Sequence, residues 1–230
     1  MLKKILPVLI ISILIPSFMI LNIGCSNQET GAQNVVLYGI INENAPFPQT
    51  IKDAIITIGK QSVKTDEQGN YKVEGLTSGS YKIQVEALNH EVYEKTIKLS
   101  EGKNKADIPL SLTPDETMRR LLEIQKAGEY EKGYEYLHPD EKESISKDEY
   151  IAKMKKNYEE QGVKIIDFEI KPAKMLDKWT DPESKRVYPN TAEMETSILV
   201  EIKKPNKSER YQINWNTHLV KVENQWKGFS

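Results

Sequence analysis

Cysteine and histidine are scarce in this sequence. Its 230 residues include one cysteine and only three histidines, at positions 90, 138 and 218. A single cysteine excludes an internal disulfide and any metal site that needs several thiolates. Three separated histidines leave little material for a histidine metal cluster. We therefore expect no metal site and no other cofactor.

An excess of charge of either sign is also missing. There are 32 basic and 34 acidic residues, which gives a net charge of -2. Nucleic-acid-binding proteins usually carry a basic excess, so we expect no nucleic-acid partner. The sequence also lacks a P-loop, a dinucleotide fingerprint, HExxH and GxSxG. No motif therefore points to a catalytic chemistry.

Long apolar runs are absent except at the N-terminus, where residues 1–25 are typical of a secretory signal. Lys3 and Lys4 precede a run of 19 uncharged residues, and Gly24 stands directly before Cys25. This pattern resembles the lipobox of bacterial lipoproteins, with Asn22 at the position where a leucine is preferred. The resemblance implies that residues 1–24 are removed and that Cys25 carries a diacylglycerol. The alternative is an uncleaved transmembrane anchor, since 19 residues are near the lower limit for a spanning helix.

Either alternative places the rest of the chain on the extracytoplasmic face of the cell membrane. Residues 25–33 are polar and lack periodicity, which predicts a flexible tether. Residues 34–112 then alternate apolar and polar side chains in six or seven short runs, interrupted by turn residues such as those at 66–70 and 77–79. This pattern predicts an antiparallel β-sandwich.

The segment TDEQGNYKVEGLTSGSYKIQVEA, residues 65–87, resembles the carboxypeptidase regulatory-like, transthyretin-like β-sandwich. Such sandwiches are usually spacers or adhesion modules, so the resemblance implies no catalytic activity. Asn89 and His90 depart from it, because a glycine before an aromatic is usual there, and we expect His90 to be a solvated loop residue. The matching positions are Thr65, Asp66, Gly69, Tyr71, Gly75, Leu76, Gly79, Tyr81 and Val85, with Gly39 and residues 53–56 upstream.

Asp66 and Glu67 stand side by side in one of these turns. Two acidic residues alone do not form a calcium cage. We therefore interpret Asp66 as a turn residue, with calcium binding as the weaker alternative.

Residues 113–230 change from helical to strand periodicity. Thr113-Pro114-Asp115-Glu116 predicts a capped helix start, and Ser146-Lys147-Asp148-Glu149 predicts a second capping box. A short helix between them is predicted near residues 130–137. Period-two runs from Ile166 onward predict four or five antiparallel strands. We therefore expect an α+β domain in which three helices pack on a curved sheet.

The end of the chain, HLVKVENQWKGF at residues 218–229, resembles nuclear-transport-factor-two-like (cystatin-like) domains. Members of that group often end with Leu-Val-Lys, a tight turn and a Trp-Lys pair, as at Leu219 and Trp226 here. The resemblance implies a cone that encloses a pocket between helices and sheet, which holds a ligand or serves catalysis in relatives. Together with the predicted sandwich, it predicts two domains, residues 34–112 and 113–230.

Five side chains are candidates for lining that pocket: Tyr134, Tyr136, His138, Trp215 and Trp226. The alternative is that they are core residues, because aromatic residues at helix or strand period usually pack. An enzyme would need a buried acid or histidine aimed into the cone. His138 near Asp140, and Asp167, are the visible options, and we expect Asp167 to meet solvent and His138 to bond carbonyls at a helix end. We name no catalytic residue.

Three functions remain open. The first is a lipid-anchored protein with a non-catalytic binding or scaffolding role at the cell envelope, toward another envelope protein or a wall component. The second is a small-molecule binder that uses the pocket of the C-terminal domain. The third is an enzyme of the isomerase or hydratase type. A scaffold predicts a filled cone, a binder an open pocket, and an enzyme a buried ionisable group in the cone.

Overall fold

Eight short strands make up the first part of the described chain. The structure is a computed structural model and describes residues 35–229, so Cys25, the predicted signal and the predicted tether lie outside the described residues. The strands are β1 (Val35–Asn44), β2 (Ile55–Ile58), β3 (Gln61–Lys64), β4 (Asn70–Leu76), β5 (Gly79–Glu86), β6 (Tyr93–Leu99), β7 (Gly102–Lys105) and β8 (Ile108–Ser111).

These strands form two sheets that share one hydrophobic core. One sheet has the order β4-β1-β7, with β8 also paired to β1, and the other has the order β3-β2-β5-β6. Leu37 and Ile41 of the first sheet and Ile56 and Ile83 of the second are completely buried in the same cluster. The two sheets therefore face each other as a β-sandwich, which the period-two alternation predicts.

The expectation that this sandwich is wholly antiparallel is wrong. Strand β1 pairs in parallel with β7 and with β8. After β6, which belongs to the second sheet, the chain turns at Gly102 (φ 83°) and enters the first sheet. Because this connection crosses between sheets and is not a hairpin, the chain can run beside β1 in the same direction.

The carboxylate of Asp66 closes the turn before β4. It accepts hydrogen bonds from the backbone N–H groups of Gln68 (2.9 Å) and Asn70 (2.8 Å). Bonds from the side chain and backbone of Asn70 lower the pKa of Asp66. Glu67 points elsewhere and pairs with Lys52 at 3.1 Å. The interpretation of Asp66 as a turn residue is confirmed. The described residues contain no group of three or more histidine, cysteine, aspartate or glutamate side chains that could hold a metal ion.

The rest of the described chain runs from four α-helices into a five-stranded sheet. The sheet has the order β10-β11-β12-β13, and β9 also pairs with β11. The elements are α1 (Pro114–Lys126), α2 (Tyr130–Tyr134), α3 (Pro139–Ser144), α4 (Lys147–Lys155), a π-helical turn (Lys156–Glu160), β9 (Val163–Ile170), β10 (Lys174–Thr180), β11 (Val187–Lys204), β12 (Lys207–Val222) and β13 (Gln225–Lys227).

A second core joins helix α1 to this sheet. Met118 and Leu122 of α1 pack in one cluster with Met194 and Ile198 of β11 and Leu219 of β12. The helices-then-strands order of an α+β arrangement is therefore present, with four helices where three were predicted. The boundary between residues 112 and 113 and the cone shape of this part stay predictions.

The local signals for helix starts are confirmed at two places. Thr113 caps α1 and accepts from the N–H of Glu116, and Ser146 caps α4 in a reciprocal capping box with Glu149. The predicted reciprocal bond of Glu116 is absent, however. Its carboxylate instead accepts hydrogen bonds from the guanidinium groups of Arg119 and Arg120 at 2.7–2.8 Å. Donor and acceptor are both charged in these bonds, and Arg119 binds the carboxylate through two parallel N–H···O bonds, which adds geometric specificity.

One strand departs from the predicted alternation. The sequence places Ile166 on the same face as Phe168, but the structure buries Ile165 instead, with 2% of its surface exposed. The pairing of β9 with β11 shifts register between Leu199 and Val200. A bulge inserts one extra residue into a strand, so every side chain before it changes face.

A cluster of largely buried charged side chains joins the sandwich to the C-terminal part. Glu43, the penultimate residue of β1, accepts two hydrogen bonds from Arg120 of α1, at 2.7 and 2.9 Å. Arg120 also donates to Glu116 at 2.8 Å. Both carboxylate side chains are 4% exposed. This contact therefore fixes the end of β1 against the first helix.

His90 belongs to the same contact, so the expectation of a solvated loop residue is wrong. Its side chain is 7% exposed, and Nε2 lies 3.5 Å from a carboxylate oxygen of Glu43. The preceding residue, Asn89, has a left-handed backbone (φ 63°) and donates to Glu116 at 3.2 Å. Asparagine tolerates this conformation better than most residues, which explains how it stands where a glycine is usual.

A second set of bonds ties the two parts near the turn before β13. The backbone oxygen of Asn224 accepts from Ser111 Oγ at 2.6 Å and from Asn44 Nδ2 at 3.2 Å. Glu91 accepts from the indole N–H of Trp226 at 3.0 Å and from Lys221. Two separate groups of bonds therefore hold the sandwich and the C-terminal part in one orientation.

Candidate functional site

A cavity lies between helices α1 and α4 and the face of the sheet that they cover. Its volume is about 390 Å³, and it is partly open to solvent. Apolar and aromatic side chains form most of the wall. The lining residues are Met118, Leu121, Gln125, Leu137, Tyr150, Lys153, Met154, Asn157, Tyr158, Val163, Ile198, Val200, Ile213, Trp215, Thr217, Leu219, Gly228 and Phe229.

Helix α4 supplies one wall because of the spacing of its side chains. Tyr150, Met154 and Tyr158 recur every four residues, which places them on one helix face. Tyr150 and Met154 are buried, and the π-helical turn after α4 carries Tyr158 and Asn157 to the cavity. The sequence predicts a helix as far as Gly162. The α-helix ends at Lys155, and Gly162 follows the turn with a φ of 62°.

Strand β12 supplies the opposite wall. Ile213, Trp215, Thr217 and Leu219 occupy alternate positions and all line the cavity. Ile213 is 46% exposed, whereas Leu219 is 1% exposed. The wall is therefore deep at the C-terminal end of β12 and open toward its N-terminal half.

A few polar groups interrupt the apolar wall. Thr217 donates a hydrogen bond to Thr196 Oγ1 at 2.9 Å, or accepts one from it. Burial raises the pKa of Tyr150 to about 12, and a side-chain bond with Gln125 opposes that rise. Tyr150 is therefore a neutral phenol at physiological pH. The arrangement can hold an apolar group and offer it a small number of hydrogen bonds.

The structure separates the five predicted pocket residues. Trp215 lines the cavity, and the ring centroid of Tyr134 lies 5.8 Å from that of Tyr150 in its wall. Tyr136 and Trp226 are each 3% exposed, and neither lines the cavity. The five predicted pocket residues do not include Ile213 and Thr217, although their alternation with Trp215 places them on the same face of the strand.

His138 belongs to a group of packed aromatic rings, stacked on Phe229 and edge-on to Tyr188. Its ring centroid lies 5.0 Å from those of Tyr188 and Phe229, and Phe229 reaches the cavity wall. The expectation that His138 bonds carbonyls at a helix end is wrong. It caps the start of α3, where its Nδ1 accepts from the backbone N–H of Asp140 at 3.1 Å.

The environment of His138 keeps its ring neutral. Burial lowers the pKa of His138, against the attraction of the carboxylate of Asp140. That carboxylate is engaged by two other groups, the hydroxyl of Tyr188 (2.7 Å) and the guanidinium of Arg186 (2.6 Å). The other candidate, Asp167, is exposed as expected, and it accepts from the N–H of Phe168.

No helix among residues 35–229 is long and apolar enough to cross a bilayer. No protein-family model matches the chain, and no curated protein matches it.

Several solved structures match part or most of the chain with TM-scores of 0.30 to 0.32. A minor pilin of Streptococcus agalactiae matches with a TM-score of 0.30 and 10% identity, over 34% of this chain and 44% of the pilin. A cohesin–X-dockerin complex of Acetivibrio cellulolyticus matches with a TM-score of 0.32 and 19% identity, over 40% of this chain and 73% of that one. A proposed carbohydrate-binding protein of Bacteroides uniformis matches with a TM-score of 0.31 and 8% identity, over 80% of this chain and 98% of that one.

Proposed function

We propose that this protein is a lipid-anchored binding protein of the extracytoplasmic membrane face, and that its C-terminal half holds an apolar ligand without converting it. The observation that carries the proposal is the cavity of about 390 Å³. Ligand pockets of proteins typically measure about 300 to 1,000 Å³ and combine apolar walls with a few polar groups. The cavity has both properties.

The open cavity favours a ligand-binding role over a pure scaffold. A scaffold needs no such cavity, and an apolar wall that is partly open to water lacks the burial that a filled core would give it. Trp215 and Ile213 remain partly exposed at the rim. A ligand that covers them would remove this apolar surface from water.

The composition of the cavity wall supports binding over catalysis. The described residues that line it include no aspartate, glutamate, histidine, cysteine or serine. General acid–base catalysis needs a group with a pKa near the operating pH within hydrogen-bond reach of the reacting atom. The wall does contain Lys153, Tyr150 and Tyr158, but burial raises the pKa of both tyrosines further above neutral pH. Neither His138 nor Asp167, the two visible candidates in the sequence, belongs to the wall.

The anchoring part of the proposal depends on the sequence around Cys25. Lys3 and Lys4, the uncharged run and the Gly24-Cys25 pair together resemble a lipoprotein signal. A multi-chain lipid on Cys25 would bind the membrane firmly, since each buried CH₂ contributes about 0.8 kcal/mol. We propose on the same footing that the sandwich is a carboxypeptidase regulatory-like spacer and the C-terminal half a cystatin-like domain.

Native mass spectrometry of the full chain, extracted from its own membranes in mild detergent, tests both parts. A chain that begins at Cys25 and carries the mass of a diacylglycerol is expected. An intact chain from Met1 would replace the lipid anchor by a transmembrane segment. A discrete additional mass that is lost on mild activation is expected from the ligand.

A pair of matched variants identifies the cavity as the place of binding. Val163→Phe places a larger side chain at the cavity wall, where it would occupy part of the cavity. Val187→Phe makes the same change at a residue that is 57% exposed and does not line the cavity. The additional mass should disappear in the first variant and persist in the second. No additional mass in the wild type, or equal retention in both variants, would overturn the binding proposal.

A further inference from the structure

Strand β12 has a long free edge within the described residues. It pairs with β11 over 14 consecutive positions without a register shift, from Thr191 opposite Val220 to Lys204 opposite Lys207. On its other side, β13 pairs only with residues 220–222. Residues 207–219 therefore present one edge that no other described strand pairs with.

This edge carries few of the usual protections against pairing. Natural proteins protect exposed edges with short strands, bulges, proline, or charged side chains. Here the seven residues from Tyr211 to Thr217 include no proline and no charge, and charged side chains stand only at one end, at Lys207, Glu209 and Arg210. An edge of this length and regularity is a template for a further strand.

The cavity lies directly beside the same edge. Ile213, Trp215 and Thr217 face it from β12, and Met154 and Asn157 face it from α4 and the turn that follows. Tyr211, two residues before Ile213, is 43% exposed. A strand added to β12 would therefore lie beside a groove whose other side is helix α4.

We propose that the occupant of this site is an extended polypeptide segment, uncharged over about seven residues, with apolar side chains at every second position. Its backbone would pair with β12, and its alternate side chains would enter the cavity. Strand addition gives affinity through main-chain bonds and specificity through pockets for alternate side chains. The inference rests on the proposed function, because it names the chemical class of the cavity ligand.

The charges and the cavity favour such a segment over a second copy of this chain. The uncharged centre of β12 offers no partner for a charged strand, since a buried unpaired charge is costly. If β12 of another copy paired here, its inward side chains would face that copy's own cavity. Both cavities would then stay unfilled.

Hydrogen exchange measured by mass spectrometry tests the inference on the full chain in lipid nanodiscs. The probes are two synthetic peptides of equal composition, acetyl-TVNLTVN-amide, which alternates, and acetyl-TNTNVLV-amide, which groups its apolar residues. The alternating peptide should slow the exchange of backbone amides in residues 211–217 at least tenfold. The grouped peptide should leave their exchange unchanged.

Two variants locate the effect on one face of the strand. Ile213→Lys places a charge on the cavity side, at a residue that is 46% exposed, and should abolish the protection. Asn216→Lys places the same charge on the other side of β12, where Asn216 is exposed, and should preserve it. Unchanged exchange in the remainder of the chain shows that both variants fold.

Three results would overturn the inference. They are equal protection by both peptides, no protection by the alternating peptide, and protection that grows with protein concentration when no peptide is present. The last result would assign the edge to a second copy. The two proposals can fail separately. If the additional mass is lost in Val163→Phe but the alternating peptide gives no protection, the cavity binds a ligand and that ligand is not an extended polypeptide.

Discussion

Arg120 and Glu43 form a bidentate ion pair, although they lie 77 positions apart in the sequence. The two guanidinium nitrogens of Arg120 lie 2.7 and 2.9 Å from the carboxylate oxygens of Glu43. The Glu43 side chain is 4% exposed and that of Arg120 is 22% exposed. Two parallel N–H···O bonds fix both distance and orientation. The pair therefore holds the end of β1 at one place on helix α1.

Removing the carboxylate should cost stability, because Arg120 would lose a partner in a mostly buried position. We expect Glu43→Ala to lower the free energy of unfolding by about 3 kcal/mol. The matched control is Glu74→Ala, whose ion pair with Lys72 has both side chains at least 60% exposed and should matter by less than about 1 kcal/mol. Urea unfolding at pH 7 measures both. Equal losses in the two variants would contradict the prediction.

The same carboxylate should give the protein a specific acid sensitivity. Burial raises the pKa of Glu43, but His90 and Arg120 outweigh it and lower the pKa from 4.5 to about 2. A lowered folded-state pKa stabilises the protein above about pH 4.5, and this contribution is lost as the pH falls toward 2.

Between pH 4.5 and pH 2, the free energy of unfolding of the wild type should fall by about 3 kcal/mol more than that of Glu43→Gln. Urea unfolding at pH 5, 4, 3 and 2 gives the difference in unfolding free energy between the two proteins. The contributions of the other carboxyl groups cancel in that difference. Parallel curves for wild type and variant would refute the assignment to Glu43. Glu74→Gln should follow the wild type.

The capping box at Ser146 should stabilise helix α4, which forms one wall of the cavity. The Ser146 side chain accepts from the N–H of Glu149, and the Glu149 carboxylate accepts from the N–H of Ser146. Ser146→Ala should cost about 1 kcal/mol, whereas Ser146→Asp should retain the cap. Thermal unfolding compares them. Similar melting temperatures for wild type and Ser146→Ala would show that tertiary contacts alone start this helix.

Gly39 should not tolerate a side chain, because another backbone passes too close. A Cβ atom on Gly39 would lie 1.9 Å from the carbonyl oxygen of Ala106. Gly39→Ala should therefore cost about 3 kcal/mol by forcing the strands apart. Gly128→Ala is the control, since its Cβ would meet nothing within 4 Å and only its φ of 72° opposes the change, at about 1 kcal/mol. Chemical unfolding should rank the two variants in that order.

Signals within a few residues predicted the local structure well. Thr113 and Ser146 cap helices as their sequence neighbours indicate, and Asp66 closes the turn that its glycine and asparagine neighbours predict. Each of these contacts joins residues two to four apart. The chemistry of the side chains decides them, and no tertiary information is needed.

Contacts between distant segments could not be predicted in the same way. The pairing of Glu43 with Arg120 and the burial of His90 depend on how the sandwich meets α1, which no periodicity records. The bulge that buries Ile165 depends on the partner strand. The cavity is an intermediate case, because alternation groups Ile213 with Trp215, but only the position of α4 leaves space beside them.

The pairing of β1 with β8 determines how the sandwich would bear a pulling force. These neighbours run parallel, so Val35 at the start of β1 and Ser111 at the end of β8 lie at opposite ends of the pair. Tension between those two residues acts along the strands, and the hydrogen bonds between them carry the load together. Strands pulled in this direction must slide as a whole, whereas strands pulled from the same end peel apart one bond at a time. Tension applied between Val35 and Ser111 would therefore load the β1–β8 pair in shear, the direction that resists separation of paired strands.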